Sequence, residues 1–225
     1  MRIKIFLSGF IFAGFVCGLS ALDRSDISFY CSFDNSSVAD ISKGKAAPVD
    51  TTTEFEPADG IKGKGILIRN GRITYSYSGN MLPEEGTISF WIKPYGWRSS
   101  DIKTGQYTFF YVHGTPAMQI TYVYWGVTRF YIYYPGEKNA ANACKYYAFD
   151  KDRWYHIAAS WKSGKEIKLI INGTLISRIT DNVPDAVSGI NFSIGAPMTV
   201  FDELMVFKRN LKDEEITAIF FRNLK

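Results

Sequence analysis

The residues whose types and spacing could do chemistry are densest between Met118 and Tyr134, and that chemistry is recognition. Trp125-Gly126-Val127-Thr128 reads as a two-residue hairpin with glycine first. That register sets Tyr124 opposite Arg129, Tyr122 opposite Tyr131 and Ile120 opposite Tyr133. Alternation then puts Tyr122, Tyr124, Arg129, Tyr131 and Tyr133 on one face. Thr121, Val123, Trp125, Phe130 and Ile132 fall on the other and read as core. Flat rings with polar tips around one guanidinium can stack on sugar rings or anchor a protein partner with little entropy loss. A three-residue loop would exchange the faces, and the Tyr95–Gly105 loop could instead cover the tyrosines.

Other reactive groups form no catalytic pattern. His113 and His156 are the only histidines, and neither sits in a nucleophile motif or at zinc-ligand spacing. The glycines between Gly60 and Gly65 lead into a strand, not a helix, so they do not form a phosphate loop. Once a leader containing Cys17 is removed, Cys31 and Cys144 are the remaining pair. In an oxidising compartment they either bridge or stay as two buried thiols.

These residues need elements to hold them. Short alternating or apolar runs recur from Ile27–Phe33 to Val200–Phe207, with turn residues between them. Asn70-Gly71 and Asn172-Gly173 read as tight hairpin turns, Asn35–Asp59 and Pro135–Ala143 as surface loops, and Lys145–Phe149 as a strand. After Lys208-Arg209-Asn210 the period changes: Ile216, Ile219, Phe220 and Leu224 share one helical face, behind Asp213, Glu214 and Glu215 in the first turn. The pattern predicts an all-β chain, an antiparallel two-sheet sandwich with a short C-terminal helix.

Residues 1–21 have a basic start, an apolar run from Ile5 to Cys17 and small residues before Leu22, the plan of a secretory signal peptide. The expected domain then occupies residues 22–225, placed outside the cell, in a periplasm or at a cell surface. No later apolar run is long enough to span a membrane. Of the 26 basic residues Arg2 and Lys4 leave with the leader, so 24 face 22 acidic ones without a basic block. That balance argues against a nucleic-acid partner.

Four stretches in order carry a family resemblance: Ile27–Asp34, Gly86–Pro94, Trp154–Trp161 with Leu169–Gly173, and Ile194–Phe207 with Leu211–Ile216. They resemble the laminin-G-like domains of the concanavalin A-like lectin/glucanase superfamily, whose fold is a jelly-roll sandwich. Lys212 departs from the family's usual serine before the last helix and predicts a poorer cap. The resemblance implies a non-catalytic module that binds carbohydrate or an extracellular protein; the alternatives are a structural or assembly protein of the cell surface, or a glycoside hydrolase. It also implies a structural calcium ion at Asp34 and Asp202, the alternative being that Asp34 opens a turn and Asp202 pairs with a basic residue. The superfamily's hydrolases set two carboxylates about 5–5.5 Å apart, or wider for inversion, on one strand. Here the acidic clusters fall in loops, turns and a helix start, and Tyr107–Tyr134 holds none.

Overall fold

A computed structural model describes residues 23–50, 53–134 and 140–223. The leader read at residues 1–21, and Leu224 of the closing helix, lie outside the described residues. Among the described residues fifteen strands occur in chain order: β1 (Ile27–Cys31), β2 (Ile41–Ser42), β3 (Glu54–Asp59), β4 (Lys64–Asn70), β5 (Ile73–Ser76), β6 (Glu85–Pro94), β7 (Gln106–Gly114), β8 (Ala117–Val123), β9 (Val127–Tyr133), β10 (Ala140–Tyr146), β11 (Tyr155–Lys162), β12 (Glu166–Ile171), β13 (Thr174–Ile179), β14 (Gly189–Ile194) and β15 (Thr199–Phe207). An α-helix, α1 (Asp213–Asn223), follows them. A nine-stranded sheet runs β13-β12-β11-β6-β15-β1-β2, with β4 also on β15 and β3 on β4. A six-stranded sheet runs β10-β9-β8-β7-β14-β5.

The two sheets face each other across one aromatic core. Phe29 of the larger sheet meets Tyr75 and Phe192 of the smaller at 4.8 and 5.3 Å between ring centroids. Such pairs add roughly 0.5–1.5 kcal/mol each beyond the area they bury. At its centre the larger sheet is covered on both faces, which explains why β11 and β12 read as nearly continuous apolar runs. Ile157, Ala159 and Leu169 enter the sandwich core, while Ala158 and Ile170 pack outward against Ile216 and Ile219 of α1. Buried Lys168 fastens the helix start, its Nζ donating to the Leu211 carbonyl at 2.9 Å and to Asp213 at 2.8 Å. Lys212 lacks a capping oxygen, but its own N–H donates to Glu215 Oε2 at 2.8 Å, half of a capping box.

Three sequence expectations change. Asn172-Gly173 does close the β12–β13 hairpin, both residues at positive φ between the pair Ile171 and Thr174. Asn70-Gly71 does not close a hairpin: β4 stays in the larger sheet and β5 joins β14 in the smaller. A turn that supplies positive φ serves a crossing between sheets as well as a hairpin, and Gly71 has φ 83°. The expected loop 35–59 supplies β3 instead, which pairs with β4 as an edge strand and so tolerates Pro57. Likewise the segment expected as a loop and a late strand forms β10, with Ala141 and Ala143 in the core.

Candidate ligand-binding face

The β8–β9 turn decides which residues meet. Val123 pairs with Val127, so the loop is Tyr124-Trp125-Gly126, with the Gly126 N–H donating to the Val123 carbonyl at 2.9 Å and Gly126 at φ 94°. The expected two-residue turn is therefore corrected. Glycine serves the left-handed end of a three-residue loop as readily as the start of a two-residue one. The extra loop residue slips β8 by one position and turns its side chains over. Tyr122, expected beside Tyr131, is instead 1% exposed in the core, its ring 5.7 Å from Phe149. Tyr124, expected opposite Arg129, leaves the ribbon for the exposed loop tip. Thr121 and Val123, expected in the core, are buried at 0% and 5% exposure but share the outward register of Arg129 and Val127, and Trp125 is exposed at the tip.

Arg129, Tyr131 and Tyr133 remain together, because they alternate on one strand with the core residues Phe130 and Ile132. They lie on the outer face of the six-stranded sheet, each half-buried. Tyr131 and Tyr133 stack at 4.9 Å and 23°. The Arg129 guanidinium lies 4.4 Å from the centre of the Tyr131 ring. Gln119 of β8 fixes the pair: it accepts from the Tyr131 hydroxyl at 2.9 Å and donates to the Tyr133 oxygen at 2.6 Å.

Non-local pairing extends this face. Tyr131, Gln119, Tyr111, Ser193 and Thr74 are successive cross-strand partners on β9, β8, β7, β14 and β5, forming one row. His113 crosses Tyr111 edge-on at 4.4 Å and shares a 2.8 Å hydrogen bond with Ser193. Arg72, beside β5, reaches 5.5 Å from the Tyr111 ring centre. Beyond it Arg72, His113 and Thr74 share an edge recess of about 410 Å³ with Asp50 and Glu54. Gln119, Tyr111, His113, Ser193 and Arg72 were missed in the sequence. Only the alternation of Tyr111 with His113 hinted at them, since a bulge between Thr108 and Phe110 breaks the pattern earlier in β7.

The electrostatics favour neutral rings and fixed cations. Burial, with Tyr111 and Tyr131 nearby, pushes the Tyr133 phenol up to about 12. Burial also raises Tyr131, against the pull of Arg129. Burial and then the Arg72 charge hold His113 below its ordinary range, leaving it neutral near pH 7. The loop between Tyr95 and Gly105 lies elsewhere: Ser99 meets Tyr122 and Phe149 at the sandwich edge, and buried Trp97 packs on Tyr107.

Asp34 and Asp202 both close on the loop 60–64. Asp202, 0% exposed, accepts from the Ile61 and Lys62 N–H groups at 2.8 and 3.2 Å and from the Glu203 N–H at 2.8 Å. Burial pushes its carboxyl up to about 7, against those amides. Asp34 accepts from the Lys64 N–H at 2.7 Å. Amide hydrogens thus stand where a calcium ion would need oxygen donors. Among the described residues no group of three or more His, Cys, Asp or Glu could hold a metal. The donor set does not fit the expected calcium.

The Cys31–Cys144 bridge is likewise corrected, since both thiols are free. Cys31 is buried in the core with Sγ against the Ser36 and Val38 carbonyls. Cys144 is exposed on β10, in register with Arg129 on the outer face of the other sheet.

Two antiparallel sheets packed around an apolar core, with a short C-terminal helix, define a jelly-roll β-sandwich. The chain belongs to the concanavalin A-like lectin/glucanase superfamily: a laminin-G-type family model described by that name matches residues 69–217. No curated protein matches the chain. Among solved structures it is similar to the botulinum neurotoxin serotype D binding domain, at 13% identity and TM-score 0.68, covering 88% of this chain and 51% of that one. The same serotype's ligand-binding domain with N-acetylneuraminic acid aligns at 14% identity and TM-score 0.66, over 88% and 51%. Domain 4 of AbnA, an extracellular arabinanase from Geobacillus stearothermophilus, with arabinotriose, aligns at 19% identity and TM-score 0.67, over 86% and 98%. The chain therefore spans about half the length of the neurotoxin structures and nearly all of the arabinanase domain.

Proposed function

We propose that this protein is a secreted, non-catalytic module that binds a glycan on the outer face of its six-stranded sheet. The observation that carries the reading is the stacked Tyr131–Tyr133 pair, held by Gln119 and flanked by Arg129. Pre-stacked rings offer apolar area at little further entropy cost, and guanidinium N–H groups suit sugar hydroxyls. The saccharides bound by the neurotoxin domain and the arabinanase domain support this ligand class. Glycoside hydrolysis needs two facing carboxylates, and the six strands of this sheet contain no aspartate or glutamate. Calcium is not part of the proposal, because loop amides already bond Asp34 and Asp202. The leader read at residues 1–21 supports export, and among the described residues no helix is long and apolar enough to cross a membrane. A polysaccharide screen of the wild type and of Tyr131→Ala/Tyr133→Ala tests the reading. The double variant should fold and bind at least about tenfold more weakly, as expected for truncated aromatic anchors. Unchanged affinity would move the site elsewhere.

A further inference from the structure

We propose that the glycan is anionic, with carboxylate or sulfate groups on the sugars engaging Arg129 and Arg72. This rests on the reading of the same face as a glycan site and narrows its ligand. The chain has 22 acidic residues, yet none lies in β5, β7, β8, β9, β10 or β14. At the sheet edge Asp50 and Glu54 share the recess beside Arg72. Among the described residues no ion pair involves either arginine. The Arg129 Nε–H is buried without a hydrogen-bond partner. A guanidinium held over a ring, with no acidic partner and no carboxylate on its sheet, is a site for an anion from outside the chain.

The spacing suits a chain of sugars better than one small ion. Arg129 sits over Tyr131 on β9, and Arg72 reaches Tyr111 on β7. These strands flank β8, so the two rings stand about two strand spacings apart, roughly 10 Å. Between them lie the tyrosine hydroxyls, held in place by buried Gln119. Each guanidinium is thereby placed to grip a charged substituent while the rings hold the sugars between. Arginine's planar fork matches carboxylate and sulfate oxygens better than an ammonium does.

Polygalacturonate, dextran sulfate, dextran, arabinan and a single-stranded oligonucleotide serve as probes for the wild type, Arg129→Gln, Arg72→Gln, the double variant and Tyr131→Ala. The wild type should bind polygalacturonate or dextran sulfate, and should bind neither neutral polymer. Polygalacturonate alone identifies carboxylate as the anion, and dextran sulfate alone identifies sulfate. Each single arginine variant should weaken binding about tenfold, as for a lost charge-assisted hydrogen bond. The double variant should lose it, with an unchanged melting midpoint. Affinity should also fall steeply between about 50 mM and 0.5 M salt. Binding to dextran or arabinan that needs Tyr131 but ignores both arginines would overturn the anionic class and leave the glycan face standing. Binding of the oligonucleotide as tightly as any polysaccharide would overturn glycan recognition in favour of general polyanion binding. No polysaccharide binding by the wild type would overturn the glycan reading itself.

Discussion

Tyr122 and Tyr131 distinguish the observed β8–β9 register from the one expected from the sequence. Tyr122 is 1% exposed, and its ring meets Phe149 at 5.7 Å. Removing a buried aromatic side chain costs about 3–5 kcal/mol in lost transfer energy and cavity. For a domain of this size each kcal/mol moves the midpoint roughly 2–4 °C, so Tyr122→Ala should lower it by about 10 °C. Its hydroxyl lies a long 3.4 Å from the Ser99 carbonyl, so Tyr122→Phe should change stability by less than about 1 kcal/mol. Tyr131→Ala forfeits one ring stack and the bond to Gln119. Together these are worth roughly 1–2 kcal/mol on a half-exposed face. Thermal melts paired with polysaccharide binding should give opposite rankings: Tyr122→Ala hurts stability most, and Tyr131→Ala hurts binding most. A Tyr122→Ala protein that melts within about 2 °C of wild type while losing affinity would refute the register described here.

Arg209 donates to both Glu215 oxygens at 2.8 Å, and also to Asp26 at 2.7 Å. Those arginine bonds, opposed by burial and aided by the Lys212 N–H, hold the Glu215 carboxyl down to about 2. A depressed carboxylate stabilises the fold above its unfolded pKa near 4.5, and the contribution is lost as pH falls through about 2. The shift corresponds to about 3 kcal/mol, discounted to roughly 2 because Arg209 is one-third exposed. Urea melts of Glu215→Gln should show that deficit at pH 7 and a smaller one near pH 3.5; an equal deficit at both would contradict the linkage. Chelation should leave the wild-type midpoint unchanged at matched ionic strength, and a fall would reveal a cation site at Asp34 and Asp202. In protein lacking residues 1–21, exposed Cys144 should react at once with a thiol reagent. Cys31, buried with its thiol pushed up to about 12, should react only on unfolding; absence of reactive thiols after denaturation would restore the bridge.

Much of the architecture could be read locally. Alternation marked most strands, and the change of period after Asn210 marked α1, because each pattern reports the face its own element buries. Arg129, Tyr131 and Tyr133 were legible together for the same reason: residues two apart on one strand share a face whatever lies opposite. Tyr122 was not, since its face depends on loop length and Gly126 suits either turn. Asn70-Gly71 carries the same ambiguity between a hairpin and a crossing. Ser193 and Tyr111 meet through β14–β7 pairing, 82 positions apart in the chain, and no local pattern reports such a partner. Cys31 and Cys144 looked like a pair by count alone, while their opposite settings, one in the core and one on an outer face, emerge only from the pairing of whole strands.

Cys144 gives the most direct test of the outer face as the ligand site, because it lies opposite Arg129 and is exposed there. The measurement is the rate of Cys144 alkylation with and without a saturating concentration of whichever polysaccharide the protein binds. Occupied, the face should shield the thiol and slow alkylation several-fold, and protein already alkylated with a bulky maleimide should bind the polysaccharide more weakly. An unchanged alkylation rate under saturating ligand, with full affinity in the alkylated protein, would contradict the assignment of this face.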